Sequence, residues 1–319
     1  MAISEDGGLS GQGGWTATGL RWRGGLPVLT AGNGRRSHER VVTGGTRVSW
    51  LVSGPRRCGG VRTGGVHHPC PYRAVVEPGA KSAQCGPCQG ADPGLALARD
   101  QILDDGRTYR LYLAWFGAGL LKVGLTAEQR GTTRLLEQAA LGYTFVARGP
   151  LPAVRRAELT VAQAGLARER LTTRVKAAHW WGLPGTAARR QELLGLRADV
   201  LRLLDGHAVE LFPDGPVIDQ VELFGLAEDA PPAYREVAAF SCGATVSGTL
   251  RAPVGRHLFI DTVDAVDAVD TDGGEPPLLL DTRLLTGWTL APAEPGPPTG
   301  LELRLCRRPA DPGEQDALF

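Results

Sequence analysis

Four cysteines fall within 31 residues: Cys58, Cys70, Cys85 and Cys88. The last two form a CxxC knuckle, Cys85-Gly-Pro-Cys88, and the whole spacing is C-x11-C-x14-C-x2-C. Four thiolates satisfy tetrahedral Zn²⁺ with no open position, so the chemistry expected of them is structural. Gly59 and Gly60 follow Cys58, and Pro71 follows Cys70. Such residues allow the tight turns that aim backbone amides at the sulfurs. Residues 54–94 are rich in Gly, Pro and Cys and hold no long periodic apolar run. A segment of that kind has little to fold with unless a metal orders it. Alternatives stay open: a redox site at the CxxC, disulfides, His67 or His68 in place of one thiol, and cysteines that are simply unpaired. A redox CxxC usually opens a helix in a thioredoxin-like unit, and no such unit is evident. Disulfides do not suit a cytosolic chain. Cys242 and Cys306 are remote and are expected to be buried as small hydrophobes.

A second set of chemistry-bearing residues lies further on. It reads Tyr109-Arg-Leu-Tyr112-Leu-Ala, Leu121-Lys122-Val123-Gly124-Leu-Thr126, Arg134-Leu-Leu-Glu137-Gln138 and Ala157-Glu158-Leu159. The elements that must position it can be read around it. Residues 109–116 and 120–125 form a hairpin candidate across the turn 117–119. Thr126 is a candidate cap for a helix that carries Leu135, Leu136, Ala139 and Ala140 and stops near Gly142. Residues 143–148 read as a third strand. The apolar positions Val154, Ala157, Val161, Ala164, Leu171, Val175 and Ala178 predict one long helix over 154–178. Pro184 and Gly185 break the chain, and 186–204 is another amphipathic helix.

A hairpin, a Gly-Leu-Thr exit and a helix bearing Arg resemble the GIY-YIG nuclease core. Tyr112 matches the Tyr of the first motif, and Lys122-Val123-Gly124 lies where the second belongs. Arg134 falls ten residues after Gly124, where the helical Arg is expected, and Glu158 opens the later helix where that core carries its metal-binding Glu. The resemblance implies Tyr112, Lys122, Arg134 and Glu158 as catalytic candidates. A tyrosine would be the base, Arg134 would neutralise the phosphate, and Glu158 would hold Mg²⁺ or Mn²⁺. It implies Thr126, Arg130, Gln138, Arg148 and Arg155 as nucleic-acid contacts. Two positions depart from the pattern: Lys122 replaces the second motif's Tyr, and Gln138 replaces a His. A lysine there can meet phosphate as a point charge. The whole is similar to an uncharacterised prokaryotic family, domain of unknown function 2797, over roughly 56–290. The residues that carry this are the upstream cysteines, Lys122 to Thr126, Thr133-Arg134 with Gln138 and Ala140, Arg148, Glu158, Trp180-Trp181, and the β-like 246–250 and 258–261.

The charge pattern agrees with an anionic partner. Lys and Arg total 35 and Asp and Glu 34, which hides a split along the chain. Residues 1–108 carry 13 basic and 8 acidic side chains, 109–190 carry 13 and 4, and 205–319 carry 7 and 20. A basic middle beside an acidic end suits a nucleic-acid-facing module, or two oppositely charged parts that offset each other. Only Lys81, Lys122 and Lys176 are lysines; Arg is the habitual cation. His179-Trp180-Trp181 offers aromatics that could stack on bases or close a helix against the sheet.

Four parts are expected in an α+β chain: a β-rich region at 1–53, the four-cysteine zinc knuckle at 54–108, the GIY-YIG-like module at 109–205 and an acidic β-rich region at 206–319. Alternation of Val48, Trp50 and Val52 marks a strand at 46–53. Later strand candidates are 208–212, 237–250, 256–261, 278–284, 288–291 and 301–306. Asp264, Asp267 and Asp270 recur at spacing three and read as a solvated acidic loop rather than a calcium loop. No apolar run reaches membrane-span length, and the first residues lack a secretory pattern. The expectation is a cytoplasmic, zinc-stabilised nucleic-acid-binding protein with possible phosphodiesterase activity. The rivals are a catalytically dead binding module and a protein-interaction scaffold.

Overall fold

The structure is a computed structural model that describes residues 15–33, 36–64, 66–80, 82–99, 101, 104–227, 230–262 and 275–308. Lys81 and the acidic repeat of Asp264, Asp267 and Asp270 lie outside the described residues. Helix and strand are mixed, and the chain divides into two compact units. One comprises Met1–Ala96, Tyr234–Pro253 and His257–Leu305; the other comprises Leu97–Ala233, Val254–Arg256 and Cys306–Phe319. Among the described residues no helix is long and apolar enough to cross a membrane.

The first unit is built on a nine-stranded sheet. Its order is His257–Thr262, Leu278–Asp281, Ala233–Leu250, Arg47–Ser53, Thr289–Pro292, Trp15–Arg23, Leu26–Gly32 and Ser37–Val41, with Thr299–Arg307 also on Ala233–Leu250. Strands from both ends of the sequence thus interleave: Arg47–Ser53 pairs on one side with Thr245 to Thr249 and on the other with Thr289 to Pro292. The period-2 pattern sets which face is buried. Val48, Trp50 and Val52 turn into a core with Leu20, Phe240, Val246, Ile260, Leu280 and Trp288. Among the described residues of 54–85 the one pair of strands is a short hairpin, Val61–Thr63 with Val66–His68, before the one-turn helix Gly86–Gly90. Cys242 is exposed and Cys306 half-buried, so neither is the buried hydrophobe expected: residues 241–243 of Ala233–Leu250 are all exposed, and Thr299–Arg307 is mostly so.

The second unit centres on an antiparallel sheet in which Thr108–Trp115 lies between Leu121–Ala127 and Gly142–Pro150. Glu210–Leu211 and Ile218–Asp219 extend it along Gly142–Pro150. The central strand is buried on both faces: Leu111 and Leu113 on one, Tyr112 and Ala114 on the other. The helices Leu151–Gln163 and Thr186–Leu203 cover it. Glu192 of the second helix accepts from Trp115 Nε1 at 2.6 Å and from the Gly119 amide at 2.8 Å, which fixes the hairpin turn.

Two expected elements differ. The long helix over 154–178 ends at Gln163. The chain turns at Gly165, whose φ of 72° suits glycine. It then runs beside Leu121–Ala127: Val123 N–H donates to Arg168 O at 3.0 Å, and Arg168 N–H to Leu121 O at 3.1 Å. The unpaired backbone of that sheet edge is what competes with helix propagation. Thr172 then caps the short helix Thr173–Ala177. Thr126, expected as a helix cap, stays within its strand, 4% exposed. The helix it was to start is Thr133–Glu137, reached through a 3-10 turn, Glu128–Arg130.

Candidate functional site

The four clustered cysteines converge in the first unit. Their sulfurs all lie within 4.8 Å of one another, and Cys70 Sγ and Cys85 Sγ are 3.8 Å apart. Zn–S bonds of about 2.3 Å put tetrahedral sulfurs roughly 3.8 Å apart, so the set fits a zinc ion. Cys58 Sγ also accepts from the amides of Gly60 at 3.4 Å and Cys85 at 3.2 Å, the outer contacts that steady a metal thiolate. Gly60 is required here: its φ is 71°, and a Cβ would lie 2.1 Å from His68 O. Burial pushes the Cys58 and Cys88 thiols up. At Cys70 burial is outweighed by the amides of Ala74 and Tyr72, which hold it down at about 7. All six cysteines are unbridged, and His67 Nε2 donates to Gly59 O at 2.6 Å, so the ligand set that fits is four thiols. The metal would supply order, with no open position for a substrate.

Arg56 organises the surroundings of this centre, and its place two residues before Cys58 was the only hint of it in the sequence. Its side chain is 1% exposed. Nη1 donates to the carbonyls of Glu77, Pro78 and Ala80 at 2.9–3.0 Å, Nε to Thr286 O at 3.1 Å and Nη2 to Arg283 O at 3.0 Å. Burial lowers its pKa, and Asp281 partly restores it. One guanidinium therefore ties the loop after the first two cysteines to residues 283–286.

In the second unit, residues singled out by the GIY-YIG resemblance link into a chain of contacts. Tyr112 is opposite Gly124 and Ala114 opposite Lys122, so Tyr112 and Lys122 share a face. Tyr112 is 1% exposed, and its ring lies over Gly124, where a Cβ would sit 2.3 Å from the hydroxyl. Gln138 Nε2 donates to Tyr112 Oη at 3.2 Å. Lys122 Nζ stands 5.8 Å from the Tyr112 ring centre. It donates to Glu169 O at 2.5 Å and Val123 O at 3.0 Å. Glu158 is 5% exposed; burial raises its pKa, while Arg155 and Lys122 pull it back. Arg155 ion-pairs with Glu158 and reaches Glu169 at 2.8 Å. Lys176, not foreseen, donates to Gln138 O at 2.9 Å with Nζ 4.0 Å from the Phe116 ring centre. The scarcity of lysine was its only signal. Glu169 had none, because the expected helix ran through it.

The expected nucleic-acid contacts are mostly engaged inside the unit. Arg148 pairs with Glu210 at 2.7 Å, on the wall of an open groove of about 570 Å³ that also holds Arg107 and Glu128. Arg130 and Arg256 each hold Glu137 at 2.9 Å. Arg134, half-buried, adds its field to the same carboxylate. Burial opposes ionisation of Glu137, but Arg256, Arg130 and Arg134 hold its pKa below the ordinary value. A depressed carboxylate contributes stability that is present above about pH 4.3 and lost as pH falls through the folded value. Glu137→Gln is expected to cost about 2 kcal/mol at pH 7, less than a fully buried pair because both arginines reach water. The fall in urea midpoint expected of the wild type below pH 4 should be shallower in the variant, with Asp105 and Asp281, also held below the ordinary carboxylate range, supplying the rest. Urea titrations from pH 3 to 7 check both; an unchanged acid limb would remove Glu137 from the account.

A family model described as a protein of unknown function (DUF2797) matches residues 98–288, more than half of the chain. The chain belongs to that family. The DUF2797 span takes in Tyr112, Lys122, Gln138, Glu158 and Lys176, but it starts after Cys88. The family resemblance expected over 56–290 is thus matched over 98–288, and the metal centre rests on its own geometry. No curated protein and no solved structure matches the chain.

Proposed function

We propose that the chain is a zinc-stabilised nucleic-acid-binding protein. Cys58, Cys70, Cys85 and Cys88 hold the zinc, and a GIY-YIG-like module supplies positive charge. One observation carries the reading. Residues 109–190 have 13 basic and 4 acidic side chains, and each of the four acids already holds an arginine. Glu128 is held by Arg110, Glu137 by Arg130, and Glu158 and Glu169 by Arg155. Arg148 and Arg189 are matched from outside the stretch, by Glu210 and Asp219; a polyanion is the partner that the remaining excess favours.

Metal-dependent phosphodiester cleavage is the second reading. It is favoured by the contacts that join Tyr112, Lys122 and Gln138 and by the field of Lys122 on Glu158. It is opposed by Arg155, which occupies the Glu158 carboxylate that Mg²⁺ or Mn²⁺ would need. Labelled single- and double-stranded DNA and RNA, titrated against zinc-loaded protein at several salt concentrations with and without Mn²⁺, separate the readings. Binding that weakens with salt, and a log–log salt slope shallower by about 1 in Arg134→Ala, is expected. Cut strands that disappear in Glu158→Ala would instead establish the nuclease. No binding at low salt would sink both and leave an interaction scaffold.

A further inference from the structure

We propose that single-stranded nucleic acid docks on the outer face of the cysteine knuckle, with Tyr72 as its stacking platform and Arg57 and Arg73 as its cations. This rests on the nucleic-acid reading and assigns a contact surface outside the GIY-YIG-like module. Residues 54–76 contain four arginines, two histidines and no acid. Arg56 points inward to its carbonyls, while Arg73 is exposed and Arg57 partly so. The turn after Cys70 is closed by Arg73 N–H donating to Cys70 O at 3.2 Å. Arg73 adopts φ 46°, a left-handed conformation uncommon for a residue with a side chain. That turn lifts Tyr72 to 71% exposure. Arg57 Nη1 donates to Arg73 O at 2.7 Å, and Arg57 bridges to Val75, itself 65% exposed. Tyr72, Arg73 and Val75 thus lie on one short, tightly turned segment, and Arg57 pairs with it from the neighbouring one.

The Arg57 guanidinium does not serve the thiolates: it is aimed at the Arg73 carbonyl. An exposed aromatic flanked by arginines, with no acid among residues 54–76, is complementary to a strand that offers both bases and phosphates. Bases are available for stacking in single strands and are hidden in a duplex. A turn fixed at Cys70 holds the backbone that presents the ring, which lowers the ordering cost of binding.

The test uses the full zinc-loaded chain and fluorescein-labelled 12-mers of oligo(dT), oligo(U) and a matched duplex, read by anisotropy across salt. Single strands should bind more tightly than duplex. Tyr72→Ala should weaken single-strand binding about tenfold and Tyr72→Phe should retain it. Arg73→Asn keeps the left-handed turn and should reduce the single-strand salt slope by about 0.7. Each variant is checked for zinc content. If Tyr72→Ala loses zinc, photocrosslinking of the wild type to iodouridine strands decides. A crosslink at Tyr72 supports the proposal, and crosslinks confined to 109–190 overturn it. Wild-type binding that Tyr72→Ala and Arg73→Asn leave unchanged would overturn the knuckle surface while the nucleic-acid reading stands. A wild type that binds no strand at low salt ends both.

Discussion

Removing the metal is expected to unfold residues 54–96 and lower the melting temperature by roughly 10 °C or more. The local core shows why. Its buried members are Cys58, Cys70, Val76 and Cys88, so three of the four are proposed ligands and one apolar side chain remains. Structural zinc contributes on the order of 10 kcal/mol to folding of small zinc domains. Even a loss of about 4 kcal/mol would shift a unit of this size by about 10 °C. One zinc per chain should be found by elemental analysis. A strong chelator or Cys88→Ser should open residues 54–96 to limited proteolysis, whereas Cys242→Ser, at an exposed position, should do neither. A metal-free chain with the same melting temperature and cleavage pattern would refute the zinc centre.

The sequence disclosed what depends on local pattern. The cysteine cluster was legible because thiols at knuckle spacing, in a segment without apolar period, have few other uses. The strand at 46–53 was legible because Val48, Trp50 and Val52 alternate, and the hairpin at 109–125 because its turn is glycine-rich. What failed was non-local. A helical period ran from Val154 to Ala178, yet the chain leaves the helix at Gly165 to satisfy the open edge beside Leu121–Ala127. No periodicity contains that competition, and with it went any view of Glu169. The pairing of Arg130, Arg148 and Arg155 was also hidden. Their partners Glu137, Glu210 and Glu169 lie 7, 62 and 14 residues away, and only the fold brings them together. A count of cations thus overstated how many guanidiniums in the module stand ready for phosphate.

Arg56→Met is expected to destabilise the first unit by about 4 kcal/mol. Methionine keeps much of the apolar stem but removes every donor. All five carbonyls, of Glu77, Pro78, Ala80, Arg283 and Thr286, would lose the guanidinium in a place where Arg56 itself is 1% exposed; Glu77 O and Arg283 O keep backbone donors, from Ala80 N–H at 3.1 Å and Thr286 N–H at 3.2 Å, so the loss falls mainly on Pro78, Ala80 and Thr286. Each buried acceptor left unmet costs about 1–3 kcal/mol, and part of that sum returns as water enters. Arg56→Lys should recover less than half, since an ammonium has three donors on a tetrahedral centre and cannot span five carbonyls in a plane. The loss should also reach the metal. Residues 77–80 lead into Ala83, whose carbonyl accepts from Gly59 N–H at 2.7 Å beside Cys58. Zinc affinity, measured by competition with a chromophoric chelator, should therefore fall about tenfold in Arg56→Met, the equivalent of roughly 1.4 kcal/mol of the total. Urea unfolding of the same samples gives the rest. A variant within about 1 kcal/mol of the wild type, with unchanged zinc affinity, would mean that the loops hold together without the guanidinium.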